Sequence, residues 1–169
     1  MTERDRPTLP DVSETSVIVV GAAIVRDDTV LCARRSAPPR LAGKWEFPGG
    51  KVEAGESDAE AVVRECREEL GVEVTVGARV GADARIDDRL TLRVFLAYLE
   101  PGQPEPSPLE DHDRLAWVRR GELLDLDWLS PDVPIVGELG LMPALNTASR
   151  SDSSTGGGGR RAGKPCRRL

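Results

Sequence analysis

The sequence predicts an α/β fold, a mixed β-sheet lying between helices. Three observations lead there. A strongly amphipathic segment, Asp58 to Leu70, carries helix boundary signals at both ends. Runs rich in β-branched residues stand before and after it, and a second helical stretch follows them. Strands on both sides of one central helix, with another helix at the end, call for a sheet covered on two faces. At 169 residues and 39% hydrophobic, the chain has the size of one domain that buries its own core.

Ser16 to Val25 is small, apolar and β-branched, which suits a strand buried on both faces, and the Asp27-Asp28 turn leads into a second strand, Val30 to Arg35, to make a hairpin. Pro38 and Pro39 keep residues 37–43 as loop. Trp45-Glu46-Phe47 then runs into Pro48-Gly49-Gly50, where glycine opens conformations closed to other residues. Ser57 with Glu60 forms a capping box and Gly71 is a stop, so a helix is expected over Asp58 to Leu70. Strands are expected at 72–76, 79–86, 90–99 and 115–118, and helical stretches at 121–124 and 134–145.

Residues 1–15 and 150–169 lack apolar periodicity and are expected to be a flexible lead and a disordered basic tail around a domain at 16–149. The tail holds six basic residues and one acidic, leaving 17 basic and 28 acidic elsewhere. Such an acidic body disfavours a polynucleotide groove, and no specific nucleic-acid partner is expected. No apolar run reaches the length of a membrane span, and Met1 to Thr15 has no secretory h-region, so the expected location is the cytoplasm. Cys32, Cys66 and Cys166 show no metal or disulfide spacing and read as ordinary thiols. A single histidine, His112, excludes any mechanism needing two. Nothing in the sequence specifies an oligomeric state.

On the central helix Ala59, Val62, Val63, Cys66 and Leu70 fall on one apolar arc, expected to press against the sheet. Glu65 and Glu69 lie on its border one turn apart, with Glu68 further round, and like charges at that spacing disfavour a helix. A solvated acidic face screened by Arg64 and Arg67 is one reading. The other is a divalent cation site, because a hard cation takes oxygen ligands and the Gly49 and Gly50 carbonyls stand beside the helix.

Gly50, five residues, Glu56, seven residues, then Arg64-Glu65-Cys66-Arg67-Glu68-Glu69-Leu70-Gly71-Val72 resembles the Nudix box, with Cys66 in place of the usual aliphatic residue. The resemblance implies an α/β/α sandwich that hydrolyses a nucleoside diphosphate linked to another group, with Mg²⁺ or Mn²⁺. It implies Glu65 and Glu69 as the principal metal carboxylates, Glu68 as a further metal or base candidate, and Gly49 or Gly50 as a carbonyl ligand. Glu56 and Arg64 are implied as supports of those carboxylates.

Beyond the box, Ala33-Arg34-Arg35, Leu41-Ala42-Gly43-Lys44-Trp45-Glu46-Phe47 and Asp127-Trp128 with Ser130-Pro131-Asp132 are similar to MutT-type nucleoside triphosphate pyrophosphohydrolases, in their cytosine-preferring variant. That similarity implies Arg35 at the substrate phosphates, Arg89 near the nucleotide, Phe47 beside the base and Asp111 as a loop base, with Glu110 and His112 as neighbours in the same loop. Asp132 is expected to read the base: an ionised carboxylate only accepts hydrogen bonds, and cytosine presents an amine donor. The alternative for Asp132 is a cap on the last helix. The expected substrates are CTP, dCTP or 5-methylcytosine nucleotides. The alternatives are 8-oxo-dGTP and, in another class, a nucleotide sensor without turnover.

Overall fold

A computed structural model of the chain describes residues 16–143. The expectations for the lead, the basic tail and Cys166 lie outside those residues. The central strand is β1 (Val17–Arg26). Successive side chains of a strand point to opposite faces, and β1 divides its apolar residues between two cores. Val20, Ala22 and Ile24 pack towards helix α1 (Asp58–Leu70), while Ala23 and Val25 pack with helix α2 (Val133–Leu141) and the 3₁₀ turn Arg120–Asp125. This is the expected α/β/α layering.

The other strands are β2 (Thr29–Arg35), β3 (Trp45–Glu46), β4 (Val74–Arg85), β5 (Leu90–Leu99) and β6 (His112–Arg119). The order is β3-β2-β1-β5-β4, with β6 also paired to β2. β1 and β5 are parallel, Val17 opposite Leu90 through Ile24 opposite Ala97, and the other pairs are antiparallel, so the sheet is mixed.

Helix α1 has its expected bounds. Ser57 accepts from the Glu60 amide, Glu60 reaches back to the Ser57 amide, and Gly71 closes the last turn through Arg67 and Cys66 carbonyls. Its buried side is not quite the expected arc: Ala59 stays exposed, whereas Ala61 and Glu69 are buried. Helical angle gives direction but not depth, and Ala59 lies in the first turn.

The expected β1–β2 hairpin forms, with its pairing confined to Val25–Val30 and Arg26–Thr29, while β6 pairs with β2 along the whole strand from Thr29 to Arg35. Two further expectations are corrected. The two strands expected at 72–76 and 79–86 are one strand, β4, which keeps its pairing with β5 through two register shifts. The last helix ends at Leu141, short of the expected boundary, whose final residues lie outside those described. Among the described residues no helix is long and apolar enough to cross a membrane.

Two backbone attachments place the functional residues. The glycine loop is tied to β1: the Val20 amide donates to the Gly50 carbonyl, the Ala22 amide to the Pro48 carbonyl and the Val52 amide to the Ile18 carbonyl. The segment before α2 is tied to β3: the Trp45 amide donates to Asp127 and the Leu129 amide to Trp45, an added parallel bridge between Trp45 and Trp128.

Candidate active site

The acidic helix and the glycine loop meet at Glu69. This carboxylate is 8% exposed, and its Oε2 accepts the Gly49 amide at 2.8 Å. Burial pushes its carboxyl up to about 7, against the pull of His112 and the Gly49 N–H. Glu65 is also raised, first by burial, with Arg64 opposing and Glu68 and Glu110 adding to the rise. The facing loop approaches closely at its two glycines. A Cβ on Gly49 would overlap the Val20 carbonyl, and one on Gly50 would overlap the Glu65 carboxylate.

Arg64 organises the rest of the helix face. Its Nε and Nη2 grip Glu56 at 2.9 and 3.0 Å, its Nη1 reaches Glu65 at 2.8 Å and Glu68 at 3.2 Å, and Nη2 also donates to the Lys51 carbonyl at 3.0 Å. Glu56, held by that guanidinium and by the Glu53 amide, lies below the usual carboxylate range. One arginine therefore ties loop residues 51–56 to the helix and draws Glu65 and Glu68 to one side.

The expected cation sphere is consequently not assembled in this arrangement. Among the described residues no three acidic, histidine or cysteine side chains converge as ligands. Glu65 and Glu68 turn to Arg64, Glu69 turns to Gly49, and the Gly50 carbonyl is taken by β1. Among the described residues no backbone hydrogen bond ends on the Gly49 carbonyl. The donor set still fits a hard divalent cation. Its atoms are oxygens, and the Glu69 carboxylate is buried with a backbone amide, not a cation, as its hydrogen-bond partner.

The second group of residues lies around β3. Phe47 is buried, with its ring 5.0 Å from that of Trp128, so its side chain belongs to the core. Its backbone amide donates to Asp132 Oδ1 at 3.2 Å. Asp132 occupies the N-cap position of α2, where its carbonyl accepts the Val136 amide, but its side chain makes no cap hydrogen bond. It is 4% exposed, and burial pushes its carboxyl up to about 7.

Arg35 is already engaged: Nε donates to the Ala37 carbonyl at 2.8 Å, Nη1 to Glu46 at 2.7 Å and Nη2 to Asp111 at 3.4 Å. Asp111 is exposed and its carbonyl accepts from both the amide and hydroxyl of Ser36. Its neighbour Glu110, at φ 52°, is the loop carboxylate whose charge reaches Glu65. Arg89 sits exposed at the β4–β5 turn, and its recorded hydrogen bonds are made by its backbone. The structure does not join it to either group.

The residue that sequence reasoning missed is Glu46, which accepts from Arg35 and pairs with the buried His112. The available signal was a carboxylate between two large aromatics, Trp45 and Phe47, a place that disfavours a charge without partners.

Comparison with known proteins agrees with this architecture. A family model described as the NUDIX domain matches residues 15–138. The Mycobacterium tuberculosis protein named "Putative 8-oxo-dGTP diphosphatase 2" is 48% identical over 125 residues, covering 72% of this chain and 86% of that protein. The Escherichia coli CTP pyrophosphohydrolase is 39% identical over 118 residues, covering 70% of this chain and 87% of that protein. The solution structure of the E. coli ORF135 protein superposes with a TM-score of 0.66 at 35% identity, covering 85% of this chain and 99% of that one.

Proposed function

Because the chain belongs to the NUDIX family, we propose that it hydrolyses a nucleoside triphosphate to the monophosphate and pyrophosphate, with cytosine nucleotides favoured. Nudix hydrolases generally use divalent metal ions; Mg²⁺, with Mn²⁺ as substitute, is the reading here. Glu65, Glu68 and Glu69 with the Gly49 carbonyl, and the remaining lone pair of Gly50, would hold it. When bound, such a cation screens the polyphosphate charge and lowers the pKa of water.

The protein's own residues do the rest. Arg64 draws Glu65, which lies against Gly50, and Glu68 to one guanidinium nitrogen and, through Glu56 and the Lys51 carbonyl, fixes residues 51–56 to the helix. Glu68 and Asp111 are exposed carboxylates able to take the proton of the attacking water. Arg35 stands at the end of β2 with its guanidinium beside Asp111, where substrate phosphates would meet it. Water adds to phosphorus, the bridging P–O bond between the α and β groups breaks, and the proton leaves to solvent through the carboxylate. By resemblance to MutT-type enzymes the attacked atom is the β phosphorus, so hydrolysis in ¹⁸O-water labels pyrophosphate.

The observation carrying the cytosine reading is the buried Asp132 carboxylate beside Phe47, an acceptor suited to the cytosine amine. A second reading, 8-oxo-dGTP, is favoured by a property of the same group. With its carboxyl pushed up to about 7, Asp132 is partly protonated near neutral pH, and a protonated carboxyl donates to a guanine-type O6. The name of the 48%-identical relative supports that alternative.

A panel of canonical, methylated and oxidised nucleoside triphosphates, assayed with Mg²⁺ and with products identified, tests both readings. The expected result is monophosphate plus pyrophosphate, with the highest kcat/KM on a cytosine nucleotide. Highest kcat/KM on 8-oxo-dGTP would replace the first reading with the second. Nucleotide binding without turnover would leave a sensor.

A further inference from the structure

Glu46 lies on the two-residue strand β3 between Trp45 and Phe47, both buried. A charge in that position requires partners, and it has two on a single atom. Arg35 Nη1 donates to Oε1 at 2.7 Å, and His112 Nε2 lies 2.8 Å from the same oxygen. The side chains are 20% exposed for Arg35, 14% for Glu46 and 0% for His112. An ionised carboxylate oxygen can only accept, so His112 Nε2 carries the hydrogen.

The other imidazole nitrogen, Nδ1, is the buried side-chain polar atom without a hydrogen-bond partner among the described residues. Leaving it unpaired costs stability that an apolar side chain of the same bulk would not cost. Packing therefore does not account for a histidine here. The Nε2 contact does: it fixes Glu46, Glu46 fixes Arg35, and Arg35 reaches Asp111.

The loop carrying His112 is tied at its other end to the acidic helix. The His112 amide donates to the Leu109 carbonyl, and the Leu109 amide donates to the carbonyl of Glu69. One connected set of bonds thus runs from α1 through the 109–112 loop and Glu46 to Arg35.

We propose that His112 is a positioning residue of the reaction, holding the Arg35 guanidinium at the substrate phosphates through Glu46. This rests on the reading of the chain as a nucleoside triphosphate pyrophosphohydrolase and adds the residue that sets its phosphate-binding arginine.

The test compares His112→Leu, which removes the donor, with His112→Gln, which keeps an N–H able to reach Glu46, and with Glu46→Gln. KM, kcat and the dissociation constant of a non-hydrolysable nucleoside triphosphate are measured with Mg²⁺. His112→Leu is expected to raise KM and Kd roughly tenfold, the scale of one hydrogen bond to a charged group, with kcat changed less than about threefold. His112→Gln is expected to restore both constants to within about threefold of wild type. The His112→Leu/Glu46→Gln double variant is expected to be no worse than the worse single variant, as for residues acting through one path.

A folded His112→Leu protein with wild-type KM and Kd overturns the proposal, as do additive effects in the double variant. The chain's sole histidine gives a second readout that needs no substrate. Its imidazole ¹⁵N signals should show a protonated Nε2 that moves in Glu46→Gln. An unprotonated or unmoved Nε2 overturns the proposal even where His112→Leu fails to fold. Wild-type protein inactive on every triphosphate in the panel would instead overturn the underlying functional reading, and the positioning role with it, while the ¹⁵N signals would still report the pair.

Discussion

The acidic helix with its glycine loop and the group around β3 are neighbouring parts of one site, built from contacts of very different reach. Around α1 the partners are close in sequence: Arg64 meets Glu65, Glu68 and Glu56 within eight residues, and Gly49 meets Glu69 across 20. Around β3 they are remote, with 66 residues between Glu46 and His112, 76 between Arg35 and Asp111, and 85 between Phe47 and Asp132. The first group is specified by a local pattern on one helix. The second exists only once three distant segments have docked. The contrast separates the proposed cation ligands, all on α1 and its facing loop, from the proposed phosphate and base contacts, all on remote segments.

Glu69→Gln breaks the comparison most severely. The amide keeps an acceptor for the Gly49 N–H and leaves the apolar side of α1 intact, but removes a charge from the proposed cation site. Turnover should fall by about two orders of magnitude or more, read as pyrophosphate release from a protein whose melting shows it folded. Activity within a few-fold of wild type would remove Glu69 from the chemistry.

The paired glycines separate backbone from side-chain constraint. Gly49→Ala forces a methyl into the Val20 carbonyl of the central strand and should cost about 3 kcal/mol of stability by denaturant titration. Gly50→Ala meets the mobile end of Glu65. Its stability should change by less than about 1 kcal/mol, while turnover drops because Glu65 is displaced. Equal stability losses in the two variants would contradict that division.

Recognition should respond differently. Asp132→Asn presents an amide able to donate as well as accept, and the ratio of kcat/KM for dCTP to that for 8-oxo-dGTP should fall roughly tenfold with little loss of total activity. An unchanged ratio would take base reading away from Asp132.

The smallest effect is on stability against pH in chelator. Burial raises Glu69 and Asp132 to about 7 from ordinary values of 4.5 and 3.8, so the folded chain holds protons that the unfolded chain has released. Their contribution is complete below the ordinary carboxylate range and is lost as pH rises through about 7. His112, also raised, acts in the same direction. The melting temperature should therefore decline between about pH 4.5 and 7.5. Asp132→Asn should reduce the slope, and saturating Mg²⁺ should flatten the part due to Glu69. A melting temperature that climbs over this range would contradict the burial of both carboxyls.

What the sequence made legible follows the same division. The capping box at Ser57 and Glu60, the stop at Gly71 and the full span of α1 were readable because each is a contact within a few residues. Arg64 and Glu56 were implied by family resemblance as supports of the helix carboxylates, and the structure joins the two as an ion pair. Asp132 was singled out, but its partner, the Phe47 amide, was not, since a backbone donor 85 residues away leaves no trace in a local pattern. Glu46 was passed over for the same reason: its partners lie at the ends of β2 and β6, whose pairing is set by the whole sheet. Phe47 shows the converse case: a local pattern could not tell an aromatic beside the base from a core residue, and its ring packs in the core against Trp128.

The bonds from β1 to residues 48–52 also govern which parts of the site open in solution. Val20 and Ala22 lie in the most buried strand, and their amides end on the Gly50 and Pro48 carbonyls. Those protons should exchange with solvent only when the domain unfolds globally. The carbonyl wall of the site thus keeps its shape between those rare openings. The exposed stretch at residues 105–111 is anchored to α1, among the described residues, only at its Ser107 and Leu109 amides, which donate to the Leu70 and Glu69 carbonyls, so those two amides should exchange more slowly than their neighbours.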